Sequence, residues 1–307
     1  MPSYAYFNKQ FVPLAEAKIG IMTNALHYGT AIFEGIRGNW NSDQKQIYIF
    51  RPKEHFERLQ NGCRVLKIDL PHSVDELCQL TVKLVAMCRF EEDIYIRPLA
   101  YKSSESLGVR LHNLESDFLA LVIPWGPYLD MDKARCGVSS WRRPDYNVIP
   151  PSAKLTGLYI NNALAKNEAI EKGFDEAIML TPDGHISEGS GENIFLVMDG
   201  KLVTPASDNH ILLGITRDTV IKLAKEELGI EAIERPVELR ELFAAEECFL
   251  TGTAAHITPV GEVDHRPIGD GEVGEITAKL QKLYFEIIRG NNPKYLDWCT
   301  PVYKRVP

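Results

Sequence analysis

Apolar residues along this 307-residue chain recur at two spacings, and the switches between them mark its elements. The run "QIYIFRP" at 46–52 alternates in the manner of a strand, and "KEHFERLQNGCRVL" then changes to helical spacing, with Phe56, Leu59 and Cys63 on one side. The clearest helix is 73–90, opened by Ser73 and Glu76 at the three-residue spacing of a capping box. "DIYIRPLA" and "DFLALVIPW" predict two further strands. Residues 124–137, "PWGPYLDMDKARCG", carry Pro and Gly without any period and read as a linker. Beyond it come a strand near 138, a helix stopped at Gly173 and the strand "EAIML". "NIFLVMDGKLVTP" predicts a hairpin with Asp199 and Gly200 at its tip. "GITRDTVIKLAKEELG" predicts a helix ended by Gly229, "ECFLTGTAAHITPV" a strand broken by a Gly-Thr turn, and "GEITAKLQKLYFEIIRG" a closing amphipathic helix. No internal repeat is visible. The pattern is α+β, with domains at 1–123 and 138–307, the linker 124–137, and a cleft expected between them.

Composition removes several classes of function. With 34 Lys and Arg against 42 Asp and Glu, the formal charge of −8 disfavours a nucleic-acid or anionic-membrane surface. No apolar run approaches the roughly 20 residues that span a bilayer. The start "MPSYAYFNKQFVPL" lacks the basic end and apolar stretch of a secretory signal, so the expected location is cytoplasmic. The six cysteines are scattered without CxxC pairs, which suits reduced thiols, and the eight histidines form no HExxH or HxH set, so no metal site is expected.

Four stretches carry candidate chemistry. "HISEGSGENIFLV" (185–197) sets two carboxylates and two glycines at a bend leading into an apolar strand. Glu188 there suits either a turn cap or a fixed charge facing a ring nitrogen. "LGITRDT" places Gly214, Ile215 and Thr216 at a helix start, where backbone N–H groups and the helix dipole favour an anion. "TGTAAH" offers Thr253 and Ala254 in a second donor-rich turn. Both also suit a plain cap and a plain turn, and neither matches the Walker A or GxGxxG spacing. Lys154 in "IPPSAKLTGLY" has no carboxylate close in sequence; it reads as a surface lysine or as a desolvated nucleophile. A lysine, a phosphate cup and a fixed carboxylate together are the three anchors of pyridoxal phosphate. In "DIYIRPLA", Tyr95 and Arg97 share a strand face, so Arg97 serves either a structural ion pair or an anionic substrate.

Taken in order, "NALHYGTAIFEGIR" (24–37), "FRPKEHFERL", "YIRPLA", "PWGPYL", "PPSAK", "ISEGSGENIF", "LGITRDT" and "GTAAHITPV" resemble the branched-chain amino acid aminotransferases, fold-type IV pyridoxal-phosphate enzymes. The resemblance covers most of the chain. It implies a smaller N-terminal α/β domain and a larger C-terminal pseudo-barrel domain, with pyridoxal 5′-phosphate at their interface. It implies Lys154 as the catalytic, cofactor-linked lysine and Glu188 as the partner of the ring nitrogen. Arg58, Ile215, Thr216 and Thr253 would hold the phosphate, with Tyr159 by the ring hydroxyl and Asn193 on the same cofactor side. Arg97 would receive the distal carboxylate of glutamate or 2-oxoglutarate. Phe33, Tyr95 and Tyr128 would line an apolar pocket, with Thr253 and Ala254 under the α-carboxylate. Tyr28 and Val109 would come from a neighbouring subunit of a homodimer or larger homo-oligomer. The implied reaction is ping-pong transfer between L-leucine, L-isoleucine or L-valine and 2-oxoglutarate. A D-amino acid or (R)-amine transaminase, an aminodeoxychorismate lyase and a non-catalytic phosphometabolite-binding module remain as alternatives. One departure is His256, where the family commonly has glutamate after "GTAA"; a hydrogen-bonding support for the turn is expected of it, and no catalytic role.

Overall fold

The computed structural model describes residues 3–126 and 132–303. Two compact units emerge, and they are interleaved in sequence. The first takes Met1–Gly126, Ala153–Gly157 and Phe285–Pro307, and the second takes Pro127–Ser152 and Leu158–Tyr284.

Among the described residues the first unit carries an eight-stranded sheet with every pairing antiparallel. In spatial order the strands are Cys299–Pro301, Gln46–Phe50, Ile36–Asn41, Ile94–Lys102, Ser116–Pro124, Tyr4–Phe7 and Gln10–Pro13, and Ala31–Phe33 pairs with the later half of Ile94–Lys102. The predicted strand at 46–52 ends at Phe50 because Pro52 opens the helix Pro52–Val65, where its missing N–H costs nothing. Phe56, Leu59 and Cys63 are buried on that helix, as its periodicity predicts. The helix Val74–Cys88 has the capping box read from Ser73 and Glu76.

The second unit holds a nine-stranded mixed sheet, ordered Ile186–Gly189, Glu176–Leu180, Ala134–Val138, His256–Val263, Glu247–Gly252, Asn193–Met198, Lys201–Thr204 and Ala232–Glu234, with Arg266–Pro267 pairing His256–Val263. The expected hairpin tip has Asp199 and Gly200 both at positive φ, 50° and 68°, the conformation that matches the twist of the flanking strands. The later part of the stretch read as linker is instead the strand Ala134–Val138, paired parallel on both sides. Its Gly137 is a packing residue, since a Cβ there would fall 2.4 Å from the Phe174 ring. Helix Tyr159–Glu171 packs on the sheet through Ala165 and Ala169, which join Phe174, Ala177 and Met179. Helix Ile215–Glu227 follows the strand Lys201–Thr204, and Glu275–Ile288 forms the late amphipathic helix.

Candidate active site

In the first unit the segment around Lys154 is fastened along the chain at 29–33. Phe33 N–H donates to the Lys154 carbonyl at 3.1 Å, Ile32 bridges to Leu155, and Thr156 Oγ1 donates to the Gly29 carbonyl at 2.9 Å. Gly29 has φ of 62°, and a Cβ on it would lie 2.7 Å from Gly157 Cα, so both conformation and close approach call for glycine. Lys154 Nζ lies 5.0 Å from the centre of the Phe33 ring. The next residue, Glu34, is fully buried and takes Arg58 in a two-pronged pair, Nε at 2.7 Å and Nη2 at 2.8 Å, while His55 Nδ1 sits 2.7 Å away. Burial by itself would raise the Glu34 pKa, but Arg58 and His55 outweigh it and hold the carboxyl well below the usual carboxylate range. Burial pushes the His55 pKa down, and the nearby charges of Arg58 and Lys154 push the same way against the pull of Glu34. The expected phosphate ligand Arg58 is thus oriented by a carboxylate that the motifs had not singled out.

Tyr95 and Arg97 do share a face. Arg97 Nη2 donates to Tyr95 Oη at 3.0 Å, and its guanidinium lies 4.5 Å from the Phe33 ring centre and 5.2 Å from that of Tyr95. Among the described residues no carboxylate pairs with Arg97, and its buried Nε has no hydrogen-bond partner. Of the two sequence readings, the structural ion pair is not found among the described residues. Gly35 makes room for this arrangement, since a Cβ there would fall 2.1 Å from Tyr95 Oη. Arg37, missed in the sequence, is buried and donates to the Trp125 carbonyl and, at 2.8 Å, to that of Gly126, fixing the end of the strand beside Tyr95. Tyr28 Oη accepts the Gly108 N–H at 2.9 Å, and Val109 next to it is 92% exposed. Tyr128 lies outside the described residues.

In the second unit a register shift between Ile186 and Glu188 interrupts the edge strand, and Glu188 is buried there. Its Oε1 is 2.8 Å from Arg143 Nη2, and its Oε2 accepts from Asn193 Nδ2 at 3.1 Å and from the Leu212 N–H at 3.0 Å. Arg143, itself 2% exposed, also donates to Asn162 Oδ1 at 2.8 Å, and Asn162 donates to the Ser190 carbonyl. Neither Arg143 nor Asn162 stood out in sequence, because the arginine is followed by proline and no acidic residue marks its pairing nearer than Asp145. Asn193 also reaches the start of helix Ile215–Glu227: a Cβ on Gly214 would lie 2.1 Å from Asn193 Oδ1, so glycine alone leaves room for it. Ile215 and Thr216 form the first turn of that helix and are buried. Thr253 and Ala254 occupy the turn between Glu247–Gly252 and His256–Val263, and Tyr159 begins its helix. His256 has φ of 57° and its ring centre lies 6.0 Å from that of Tyr284.

A buried carboxylate with three fixed donors, a glycine-opened helix start and a second small-residue turn thus belong to one unit. A half-buried lysine and an arginine that no carboxylate answers among the described residues belong to the other. Residues 31–263 match the family model of the class IV aminotransferases. A probable branched-chain-amino-acid aminotransferase of Aquifex aeolicus is 49% identical over 98% of this chain and 97% of its own. The branched-chain-amino-acid aminotransferase of Escherichia coli K12 is 38% identical over 97% of each. Among solved structures, the branched-chain aminotransferase of the thermophilic archaeon Thermoproteus uzoniensis with norvaline has a TM-score of 0.94 at 41% identity, covering 99% of this chain and 100% of that one. The PLP-form of the branched-chain amino acid aminotransferase of Thermobaculum terrenum also has a TM-score of 0.94, at 37% identity over 99% of each chain. The chain belongs to the class IV aminotransferases, pyridoxal-phosphate enzymes of the fold-type IV architecture.

Proposed function

We propose that this chain moves amino groups between L-leucine, L-isoleucine or L-valine and 2-oxoglutarate, with pyridoxal 5′-phosphate as cofactor. The observation that carries this reading is the buried Glu188 carboxylate, aimed by Arg143, Asn193 and Leu212. A carboxylate fixed in this way fits as acceptor for the N–H of a protonated pyridine ring, and the Gly214 helix start that Asn193 buttresses fits a phosphate. When bound, the cofactor supplies a carbonyl that takes up the amino group and a ring that withdraws electrons from the substrate α-carbon.

The residues then divide the work. Lys154 holds the cofactor at rest and, once displaced by substrate, moves the proton from the α-carbon as base and then acid. Glu188 keeps a proton on the ring nitrogen, and Asn193 positions that carboxylate. Arg58, Ile215, Thr216 and Thr253 bind the phosphate, Tyr159 the ring hydroxyl, and Thr253 and Ala254 the α-carboxylate. Phe33, Tyr95 and Tyr128 exclude water around a branched side chain, and Arg97 takes the distal carboxylate of glutamate. An arginine resting on aromatic faces rather than on a carboxylate supports this dual use, because it meets apolar and anionic substrates alike.

The test is the visible absorption of the purified holoenzyme, before and after L-leucine is added without a keto acid. A band that bleaches with L-leucine supports the reading; a band unmoved by L-leucine but bleached by a D-amino acid or an (R)-amine would replace it. Arg97→Ala should lower kcat/KM for glutamate about 30- to 100-fold, the worth of a lost charged hydrogen bond, and that for leucine by less than about fivefold. Equal losses in steady-state assays would refute the shared pocket. The homo-oligomer is supported by apolar side chains left uncovered on the first unit, among them Ile21, Leu26, Leu107 and Val109. A cytoplasmic setting is supported by six free thiols.

A further inference from the structure

The second carboxylate of the 185–197 segment, Glu192, has no part in this scheme, yet it is only 4% exposed. Its Oε2 accepts the Gly191 N–H at 3.0 Å, and its carbonyl accepts the Gly189 N–H at 2.6 Å, so residues 189–192 fold back on themselves. A Cβ at Gly189 would fall 2.8 Å from Glu192 Oε2. On the other side, Glu192 Cγ lies 3.4 Å from where a Cβ on Gly252 would sit, at the entry to the Thr253–Ala254 turn. The side chain is therefore wedged between the loop that follows Glu188 and the turn that carries Thr253.

The charged and titratable groups facing it come from four elements. Glu176, on Glu176–Leu180, is fully buried, and Lys166 from helix Tyr159–Glu171 pairs with it at 2.6 Å. Glu188, on Ile186–Gly189, is taken by Arg143. The thiol of Cys136, on Ala134–Val138, faces it as well, and its own pKa is raised by burial and then by the neighbouring Cys248, Glu176 and Glu192. Both nearby cations thus answer other carboxylates, and no cation pairs with Glu192 among the described residues. Burial first, and the charge of Glu176 after it, lift the Glu192 pKa to about 8, which favours the neutral acid over the carboxylate.

We propose that Glu192 is a positioning residue that works as a neutral acid: it braces the 189–192 loop against the Thr253–Ala254 turn, and its ionisation in alkaline solution sets a negative charge behind that turn and weakens anion binding there. This rests on the reading of Thr253–Ala254 as an anion site. Sulfate is a suitable probe on the apoenzyme because its own charge is constant over the range. Between pH 6.5 and 9.5 its dissociation constant should rise about tenfold more for the wild type than for Glu192→Gln, a difference of the size one added nearby charge produces. Parallel pH slopes overturn the proposal. Thr253→Val separates the two readings: if it leaves sulfate binding unchanged, the anion assignment itself fails.

Thermal unfolding of the apoenzyme without sulfate reads the proton directly. A carboxyl whose folded pKa lies above its unfolded value keeps a proton that the unfolded chain gives up, so its contribution to stability declines as pH rises from about 4.5 to about 8 and is level beyond. Wild type and Glu192→Gln should therefore unfold alike near pH 5, and the variant should gain steadily in Tm up to about pH 8. Glu176→Gln, which removes the facing carboxylate, should move the end of the decline to lower pH. A Tm difference that does not change with pH marks Glu192 as merely structural and overturns the proposal.

Discussion

Lys154→Ala is expected to cut turnover by on the order of 10^4-fold or more, the scale on which enzymes lose rate when the group that handles the proton and the covalent link is removed. The neighbouring base is a poor understudy. His55 lies close enough to feel the Lys154 charge, but Glu34 occupies its Nδ1 and burial depresses its pKa. Folding should be spared, since the bond to Phe33 N–H uses the Lys154 backbone carbonyl, which alanine retains. Steady-state rates with L-leucine and 2-oxoglutarate, alongside circular dichroism, check both halves. Turnover within tenfold of wild type would remove Lys154 from its role.

The largest expected change in stability belongs to Arg143→Met. Removing one partner of a buried ion pair leaves the other charge uncompensated, at a cost of about 3–5 kcal/mol. Arg143 and Glu188 are 2% and 7% exposed at the side chain, so solvent does little to soften that loss. The pairing of Arg143 with Asn162 goes as well, and with it the hold on Ser190 in the loop beyond Glu188. The double variant Arg143→Met/Glu188→Gln should recover most of the loss, because neither charge is then stranded. Denaturant unfolding of the four proteins in this cycle measures the coupling; additive effects would mean that the two side chains do not depend on each other.

Long periodic elements were legible in the sequence, and chemistry carried by single distant partners was not. The helices Pro52–Val65 and Val74–Cys88 and the hairpin tipped by Asp199 and Gly200 declare themselves because their signals lie within a few residues. The hairpin Tyr4–Phe7 with Gln10–Pro13 turns on Asn8 and Lys9 at φ of 48° and 60°, and lysine at such a position gives no turn signal. The edge strand Cys299–Pro301 is three residues long and includes proline, so its pairing with Gln46–Phe50 is set by the partner rather than by its own pattern. Ala134–Val138 hid in a stretch rich in Pro and Gly because its Gly137 answers to the Phe174 ring, 37 residues on. Among the proposed functional groups, motif resemblance pointed to Lys154, Glu188 and Arg97. Glu34, Arg37 and Arg143 act on partners 24, 88 and 45 residues away, a distance at which one sequence leaves no trace.

Consecutive positions 33 and 34 divide main chain from side chain in a way that bears on engineering. Phe33 supports Lys154 through its backbone N–H, which every replacement except proline keeps, while its ring, set against Lys154 and Arg97, is the part that a library reshaping substrate range would change. Glu34 acts through its carboxylate on Arg58 and His55, so nearly every replacement there loses the two-pronged hold on the Arg58 guanidinium. Diversity for altered specificity therefore belongs at 33, and mutational schemes that randomise the pair together would discard most of their members for reasons unrelated to substrate.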